Sequence, residues 1–359
     1  MVAYTYYEND NRVMRYSDAL VARGDIVDVL ALRKSGQERS EDYRGVHLFR
    51  IQKRTMDERK GKLSYLLRMT RFLLSSFFIL AWRQLRFHYG IVHVHSVPDF
   101  EVFAALVPKI FGARIILDIH DVVPEFYCSK FGVQKESLAF RALVAVERAS
   151  IAFSHHTIIA NDIWRERLIG RSVCAEKCTT VLNYPDLSIF HERPRRRQDD
   201  RFIVLYPGTI NYHQGVDIAV RAFALLGDEA PRAELHIYGE GPDRDATERL
   251  IDSLSLHDRV RLFHMVPMVQ VADIMAEADL GVVPKRRDSF GDEAFSTKSL
   301  EFMALGIPVL MANTTIDAFY FNSSLVAFFE SENARALANE IIRLYEDDKA
   351  RTRLADNGR

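Results

Sequence analysis

Little net charge is left on this 359-residue chain, because 49 acidic side chains stand against 48 basic ones. A near-neutral protein has no whole-molecule attraction to polyanions, so no nucleic-acid partner is expected. Cysteine is scarce as well. Cys128, Cys174 and Cys178 are too few and too odd in number for a disulfide framework, which points to a reducing, cytoplasmic setting. Cys174 and Cys178 have no second ligand cluster, so they do not read as a metal site. The segment 1–7 lacks the basic and then apolar order of a secretory leader. The most apolar run, 72–82, is far shorter than the roughly 20 residues of a bilayer-crossing helix, so no such helix is expected. No Asp-x-Asp stands at the end of an expected strand in a cleft context, and no essential metal is expected.

What remains is an ordinary globular balance, 48% apolar and 27% charged, in a chain too long for one hydrophobic core. Short apolar runs alternate with longer segments of helical period, the pattern of βα units on a parallel sheet. In the first half, strands are expected at 26–32, 91–95, 114–119 and 157–160, and helices at 12–23, 63–87, 101–111 and 137–152. The charged run 191–201, with Pro194, breaks the pattern; 193–201 reads as a linker between domains 1–192 and 202–359. Strands then follow at 202–206, 234–238, 260–263, 280–283 and 308–311. Helices fall at 216–226, 245–253, 269–276 and 297–304, and a last one begins near Asn333. The fold class is α/β, with two Rossmann-like, doubly wound domains facing across a cleft. Both ends read as clipped: only 2–7 is available for a first strand, and the chain stops inside a charged helical stretch.

Basic residues gather around the apolar helix at 63–87: Arg59, Lys60, Lys62, Arg68 and Arg71 ahead of its apolar run, Arg83 and Arg86 after it. Two readings stay open. The helix faces the core and carries a solvated basic face, or it leans on an anionic membrane surface.

The most specific pattern is Asp292-Glu293-Ala-Phe-Ser-Thr-Lys-Ser-Leu-Glu301-Phe-Met-Ala-Leu-Gly306-Ile-Pro308-Val. The second glutamate lies on an apolar helix face beside Leu300, Met303 and Ala304, where an ionised carboxylate is costly without a partner. Ser296 or Thr297 is expected to cap this helix, leaving backbone N–H groups and a positive dipole end beside Glu293. Such an end suits an anionic diphosphate, with a carboxylate on either side for sugar hydroxyls. His120 stands at the C-terminal end of an expected strand, where open α/β sheets bind their ligands.

With these segments in place, the sequence resembles the retaining GT-B glycosyltransferases grouped as family 4. Asp279-Leu-Gly-Val-Val-Pro284, the Glu293/Glu301 motif and Ala304-Leu-Gly-Ile-Pro-Val309 carry the likeness. So do Tyr206-Pro-Gly-Thr209, His236-Ile-Tyr-Gly-Glu-Gly-Pro242 and Arg259-Val-Arg-Leu-Phe-His264. The first half adds Tyr7-Glu-Asn-Asp-Asn-Arg12, Ile91-Val-His-Val-His95, Ile116-Leu-Asp-Ile-His-Asp121 and the stretch from Glu147 to Asn161. Nearly the whole chain is covered. The resemblance implies an acceptor-binding first domain and a second domain that holds a nucleotide-sugar donor, UDP-linked as the expected class.

The resemblance also implies roles. Glu301 would grip the donor ribose, and Glu293 a hydroxyl of the transferred sugar. Backbone N–H groups of Phe295, Ser296 and Thr297 would hold the diphosphate, with Lys298 beside them. Gly208, Thr209, His213, Gly239 and Val266 would line the donor site, and His120 would contact the sugar near the reacting carbon. The family often carries an Arg and a Lys, five apart, after the Gly of its second-domain first strand. Thr209 and Gln214 stand there instead, so Lys298, Lys285 and Arg286 are the replacement cations to consider. The acceptor would be a glycan, a lipid-linked or a small molecule, as in cell-envelope polysaccharide assembly. The donor is a substrate, so no cofactor is implied. A nucleotide-sugar epimerase of the same architecture and a catalytically silent sugar-nucleotide-binding module remain alternatives.

Overall fold

The computed structural model describes residues 1–54, 62–131, 134, 137–288 and 290–359. Arg59 and Lys60 of the basic cluster lie outside these. The chain divides into two compact units, Met1–Leu182 and Asn183–Arg359.

The first unit runs β1 (Val2–Tyr6), α1 (Asn11–Ala22), β2 (Val27–Arg33), β3 (Ser40–Tyr43), β4 (Val46–Lys53) and α2 (Lys62–Phe87). It continues with β5 (Ile91–His95), α3 (Leu106–Ile110), β6 (Arg114–Ile119), α4 (Val123–Phe131), α5 (Leu138–Phe153), β7 (His156–Ile159), α6 (Asp162–Ile169) and β8 (Cys178–Thr180). The sheet order is β3-β4-β2-β1-β5-β6-β7-β8, parallel except for the β3–β4 hairpin. The short opening run is therefore a central strand. Asp10 starts α1 by accepting from the Val13 N–H, and Gly24 ends that turn at φ 94°.

Among the departures from the expected pattern, three have a plain physical cause. The segment 101–111 is not one helix but a 3-10 helix, Asp99–Ala105, followed by the short α3. Pro108 lies in the middle of it and cannot donate the N–H that a continuous helix needs there. The β3–β4 hairpin was not expected at all. Along β4 the inward positions are Val46, Leu48, Arg50 and Gln52, and the two polar ones interrupt the apolar alternation. Arg50 is paired there with Glu41 at 2.5 Å and with Glu8, both through Nη2. Finally, the charged segment expected as a linker belongs to the second unit, where Arg195 and Arg197 pair with Asp279 at 2.7 and 2.5 Å.

The second unit comprises β9 (Phe202–Pro207), α7 (Val216–Ala224), β10 (Ala233–Tyr238), α8 (Arg244–Ser253), β11 (Val260–Phe263), α9 (Met268–Ala276) and β12 (Leu280–Val283). Then come α10 (Thr297–Ala304), β13 (Val309–Ala312), α11 (Thr315–Tyr320), β14 (Ala327–Phe329), α12 (Ala334–Glu346) and α13 (Asp348–Gly358). Its sheet is wholly parallel, in the order β11-β10-β9-β12-β13-β14. β9 is buried at every position, because Val204 packs into the α7–α12 core and Leu205 into the α9–α10 core. That two-sided burial is why it reads as an unbroken apolar run.

Candidate active site

The second sheet reverses its strand order between β9 and β12, and an open α/β sheet presents its ligand crevice at the strand ends there. The chain leaves β9 through Gly208, at φ 138°, and a Cβ on that residue would come 2.4 Å from Lys298 Cε. A Cβ on Gly239 would come 1.8 Å from the Gly208 carbonyl oxygen. Two backbone turns thus touch directly, and only glycine permits the approach.

Lys298 lies in the first turn of α10 with its ammonium over this turn. The Nζ donates to Gln214 Oε1 at 2.8 Å and stands 5.2 Å from the centre of the Tyr206 ring. Tyr206 in turn donates to the Thr209 carbonyl at 2.7 Å. Burial pulls the Lys298 ammonium down to about 8, while the Glu301 carboxylate acts in the opposite direction. Glu293 and Glu301 are half-buried; the burial expected for the second is only partial.

The expected side-chain cap of α10 is not made. Ser296 occupies the N-cap position, but its hydroxyl is buried and has no partner among the described residues. Its carbonyl instead accepts from Ser299 Oγ at 2.6 Å. The helix start is left with first-turn N–H groups that no side-chain cap satisfies, an orphaned hydroxyl and a nearby ammonium. Each of these is a donor suited to an anion.

The other two proposed cations are committed elsewhere. Lys285 is buried against the fully buried Asp317 at 2.9 Å and donates to the Ala294 carbonyl at 2.7 Å, so it ties α11 to the loop that carries Glu293. Arg286 pairs with Asp217 through both terminal nitrogens, at 2.9 and 2.7 Å, and stacks on Tyr212 at 4.3 Å. His213 Nδ1 lies 2.6 Å from Asp288 Oδ2. Phe295 sends its ring toward Tyr320 and Phe321, so its side chain serves the core. Val266 follows β11, where Phe263 stacks on Tyr238 at 4.3 Å.

In the first unit, His120 follows β6 directly and belongs to a buried cluster that pattern reading had not assembled. Strand register sets His95 beside Asp118. His93 and His95 share one face of β5, two residues apart, and their rings stack at 4.2 Å. Asp118, with no exposure, accepts twice from the Arg12 guanidinium at 2.8 Å. Its Oδ2 lies 3.2 Å from His95 Nδ1 and 3.3 Å from His120 Nε2. Burial opposes charge on Asp118, but hydrogen bonds from His120, His93 and His95 outweigh it and hold the carboxyl well below its usual range. Burial keeps His93 and His95 below theirs. For His120 burial is overcome by the Asp118 hydrogen bond and charge, which raise it. His120 is therefore the ring of the three whose charged form the cluster favours, and its Nε2 lies 3.1 Å from His95 Nδ1.

Among the described residues, His93, His95 and Asp118 are the grouping whose donor atoms lie within 4.8 Å of one another. Both Asp118 oxygens already face the Arg12 guanidinium, so a metal ion there would meet a fixed cation.

A pair of parallel α/β units, the second bearing an anion-ready turn at its switch point, defines the GT-B architecture. Sucrose-phosphate synthase from Thermosynechococcus elongatus shares this fold at TM-score 0.77 and 18% identity, over 99% of this chain and 92% of that one. The Anabaena protein HepE in complex with UDP shares it at TM-score 0.70 and 16% identity, over 99% and 92%. Residues 10–183 match the family described as glycosyl transferase 4-like domain, and residues 189–359 match glycosyl transferases group 1. The chain belongs to this glycosyltransferase family. It is 28% identical to the alpha-D-kanosaminyltransferase of Streptomyces kanamyceticus over 165 residues, 46% of this chain and 42% of that protein. With D-inositol 3-phosphate glycosyltransferase 1 of Catenulispora acidiphila it shares 28% over 290 residues, 73% of this chain and 65% of that one. The chain thus spans between two fifths and two thirds of the length of these two relatives.

Proposed function

We propose that this chain transfers a sugar from a UDP-linked donor, held on the second unit, to a glycan, lipid-linked or small-molecule acceptor bound by the first, with retention and without a metal. The observation that carries this reading is the uncapped start of α10, with the Ser296 hydroxyl orphaned and Lys298 lying on Gly208. As the bond to the donor sugar breaks, negative charge grows on the departing diphosphate. N–H groups of residues 295–297 and the Lys298 ammonium are donors already in place for it. Glu301 holds the ribose and Glu293 a hydroxyl of the transferred sugar, with Gly208, Thr209, His213, Gly239 and Val266 shaping the donor site. His120, charged through Asp118, serves the donor sugar near the reacting carbon. Support comes from the family assignment and from HepE, whose structure is a complex with UDP. The same reading places the protein in the cytoplasm, in peripheral contact with an anionic membrane.

Titration of the full chain with UDP, followed by a turnover screen across nucleotide-sugars, tests it. UDP binding with acceptor-dependent sugar transfer is the expected result. A new UDP-sugar formed without acceptor would make the chain an epimerase, and binding without any turnover would make it a silent module. Absence of UDP binding would remove the donor site itself.

A further inference from the structure

Helix α2 is apolar on both faces. The residues it turns inward are Met69, Phe72, Ser76, Leu80 and Gln84, so its buried stripe includes a fully buried serine and a nearly buried glutamine. On the opposite face, Leu67, Leu74, Phe78, Trp82 and Leu85 recur at helical spacing and are 52–66% exposed. This outward stripe runs from Leu67 to Leu85, 19 residues or about 27 Å of helix. Packed beside α2, α3 exposes Ile110 (72%) and is followed by Phe111 (57%), so the apolar surface continues past the helix. Contiguous exposed apolar surface of this extent marks an interaction site.

We propose that this α2–α3 face is the surface by which the protein lies on an anionic lipid bilayer, with α2 in the plane of the interface and Phe78 and Trp82 among the acyl chains. The inference deepens the membrane contact included in the function proposed above. Charge selects the occupant. α2 contains no acidic residue, and neither does α3, while Arg71 and Arg86 are exposed beside the apolar stripe. A second copy seated face to face would set cation against cation with no acid to answer either. A phosphate-bearing surface supplies the missing charge. Arg86 also lies 5.9 Å from the Trp82 ring centre, an arrangement that keeps an aromatic ring and a cation together at a headgroup boundary.

Length does not decide between lying and crossing, for Ser64–Phe87 is long and apolar enough to span, contrary to the expectation from the run 72–82 alone. The inner face decides. Phe72 and Ser76 have no exposure, and Gln84 accepts from the Tyr89 N–H at 3.0 Å. Arg83 is drawn inward to Asp28 at 2.6 Å. A crossing helix would have to strip all of these from the first unit, whereas a helix in the interface keeps them and sinks its outer stripe by about 5–10 Å.

The chain has two tryptophans, and the fold separates them: Trp82 is 59% exposed and Trp164 only 4%. Tryptophan emission therefore reads this face. With vesicles of phosphatidylcholine containing phosphatidylglycerol, emission of the full chain should shift to the blue and be quenched by lipids brominated on their acyl chains. Trp82→Phe should remove that response. Phe78→Glu should weaken vesicle binding about tenfold or more and leave UDP affinity unchanged. Arg71→Glu with Arg86→Glu should abolish the preference for phosphatidylglycerol over phosphatidylcholine alone. No shift with either vesicle would overturn the proposal. So would a shift that grows with protein concentration in the absence of lipid, which would make the face an interface between copies. Failure to bind UDP would strike the donor-site reading and leave this one standing.

Discussion

The ammonium of Lys298 donates to Gln214 Oε1 at 2.8 Å. Gln214 stands where the family often carries a lysine, and α10 delivers a cation to the same place from the other side of the turn. In the function proposed above, this ammonium is the fixed charge beside the departing diphosphate, supplied from 84 positions further along the chain.

The first prediction concerns that charge. Lys298→Met should lower kcat/KM and UDP affinity by roughly ten- to a hundredfold, the range of a lost hydrogen bond to a charged group. Burial has lowered the free ammonium to about 8, so the charged form is lost as pH rises through that value. kcat/KM should therefore fall above about pH 8, and in Lys298→Arg this alkaline limb should move beyond the measured range. An unchanged limb in Lys298→Arg would assign the titration to another group.

The two motif glutamates should separate kinetically. In the proposed role of Glu301, contact with the unreacting ribose gives similar binding in ground and transition states. Glu301→Gln should therefore raise KM and weaken UDP binding with little change in kcat. In the proposed role of Glu293, the contact is to the sugar that develops charge, so Glu293→Gln should lower kcat and leave UDP affinity alone. Parent-like behaviour of both variants would reduce the segment to an ordinary helix start.

Asp118 pairs with Arg12 and His120 at once, so its loss removes the counter-charge of a buried guanidinium that keeps its bond to the Val181 carbonyl. Asp118→Asn should cost about 3–5 kcal/mol of stability in denaturant unfolding. The double variant Arg12→Met, Asp118→Leu should recover much of that stability and none of the activity, because His120 would lose the carboxylate that favours its charged form.

The histidine cluster also sets a pH dependence of stability. His93 and His95 are held below their ordinary value of 6.5 by burial, so below that pH the unfolded chain takes up protons that the folded one refuses. His120 is raised and contributes in the other direction, with stability present below 6.5 and lost as pH rises through its folded value. His93 and His95 thus each contribute a fall in stability, measured as melting temperature, as pH drops from 6.5 to 5, opposed by the buried Asp99 and Glu101 carboxyls, which burial raises to about 7 and about 9. Replacing His95 by Phe should flatten that fall.

On the proposed reading, in which Lys298 and the start of α10 supply the positive charge that a divalent ion supplies elsewhere, turnover should survive excess EDTA. Loss of activity that Mg²⁺ or Mn²⁺ restores would overturn this expectation.

Sequence alone was enough for the α/β alternation, most of the strands and the stretch from Asp292 to Val309, because these depend on local periodicity and on residues close together in the chain. Partners lay beyond its reach. That Lys285 answers Asp317, Arg286 answers Asp217 and only Lys298 reaches the Gly208 turn depends on strands and helices meeting from distant parts of the chain. Arg12, 106 residues from Asp118, could be matched to it only after β5 and β6 had paired and α1 had packed at their ends. The hairpin of β3 and β4 escaped for a related reason: its inward Arg50 looks like a surface residue until Glu8 and Glu41 surround it. The outward stripe of α2 is the reverse case. Its period was plain, but which face turned inward was a choice among apolar surfaces, and it was decided by the neighbours that closed over Phe72 and Ser76. Periodicity names a helix and its faces; only packing says which face the protein keeps for itself.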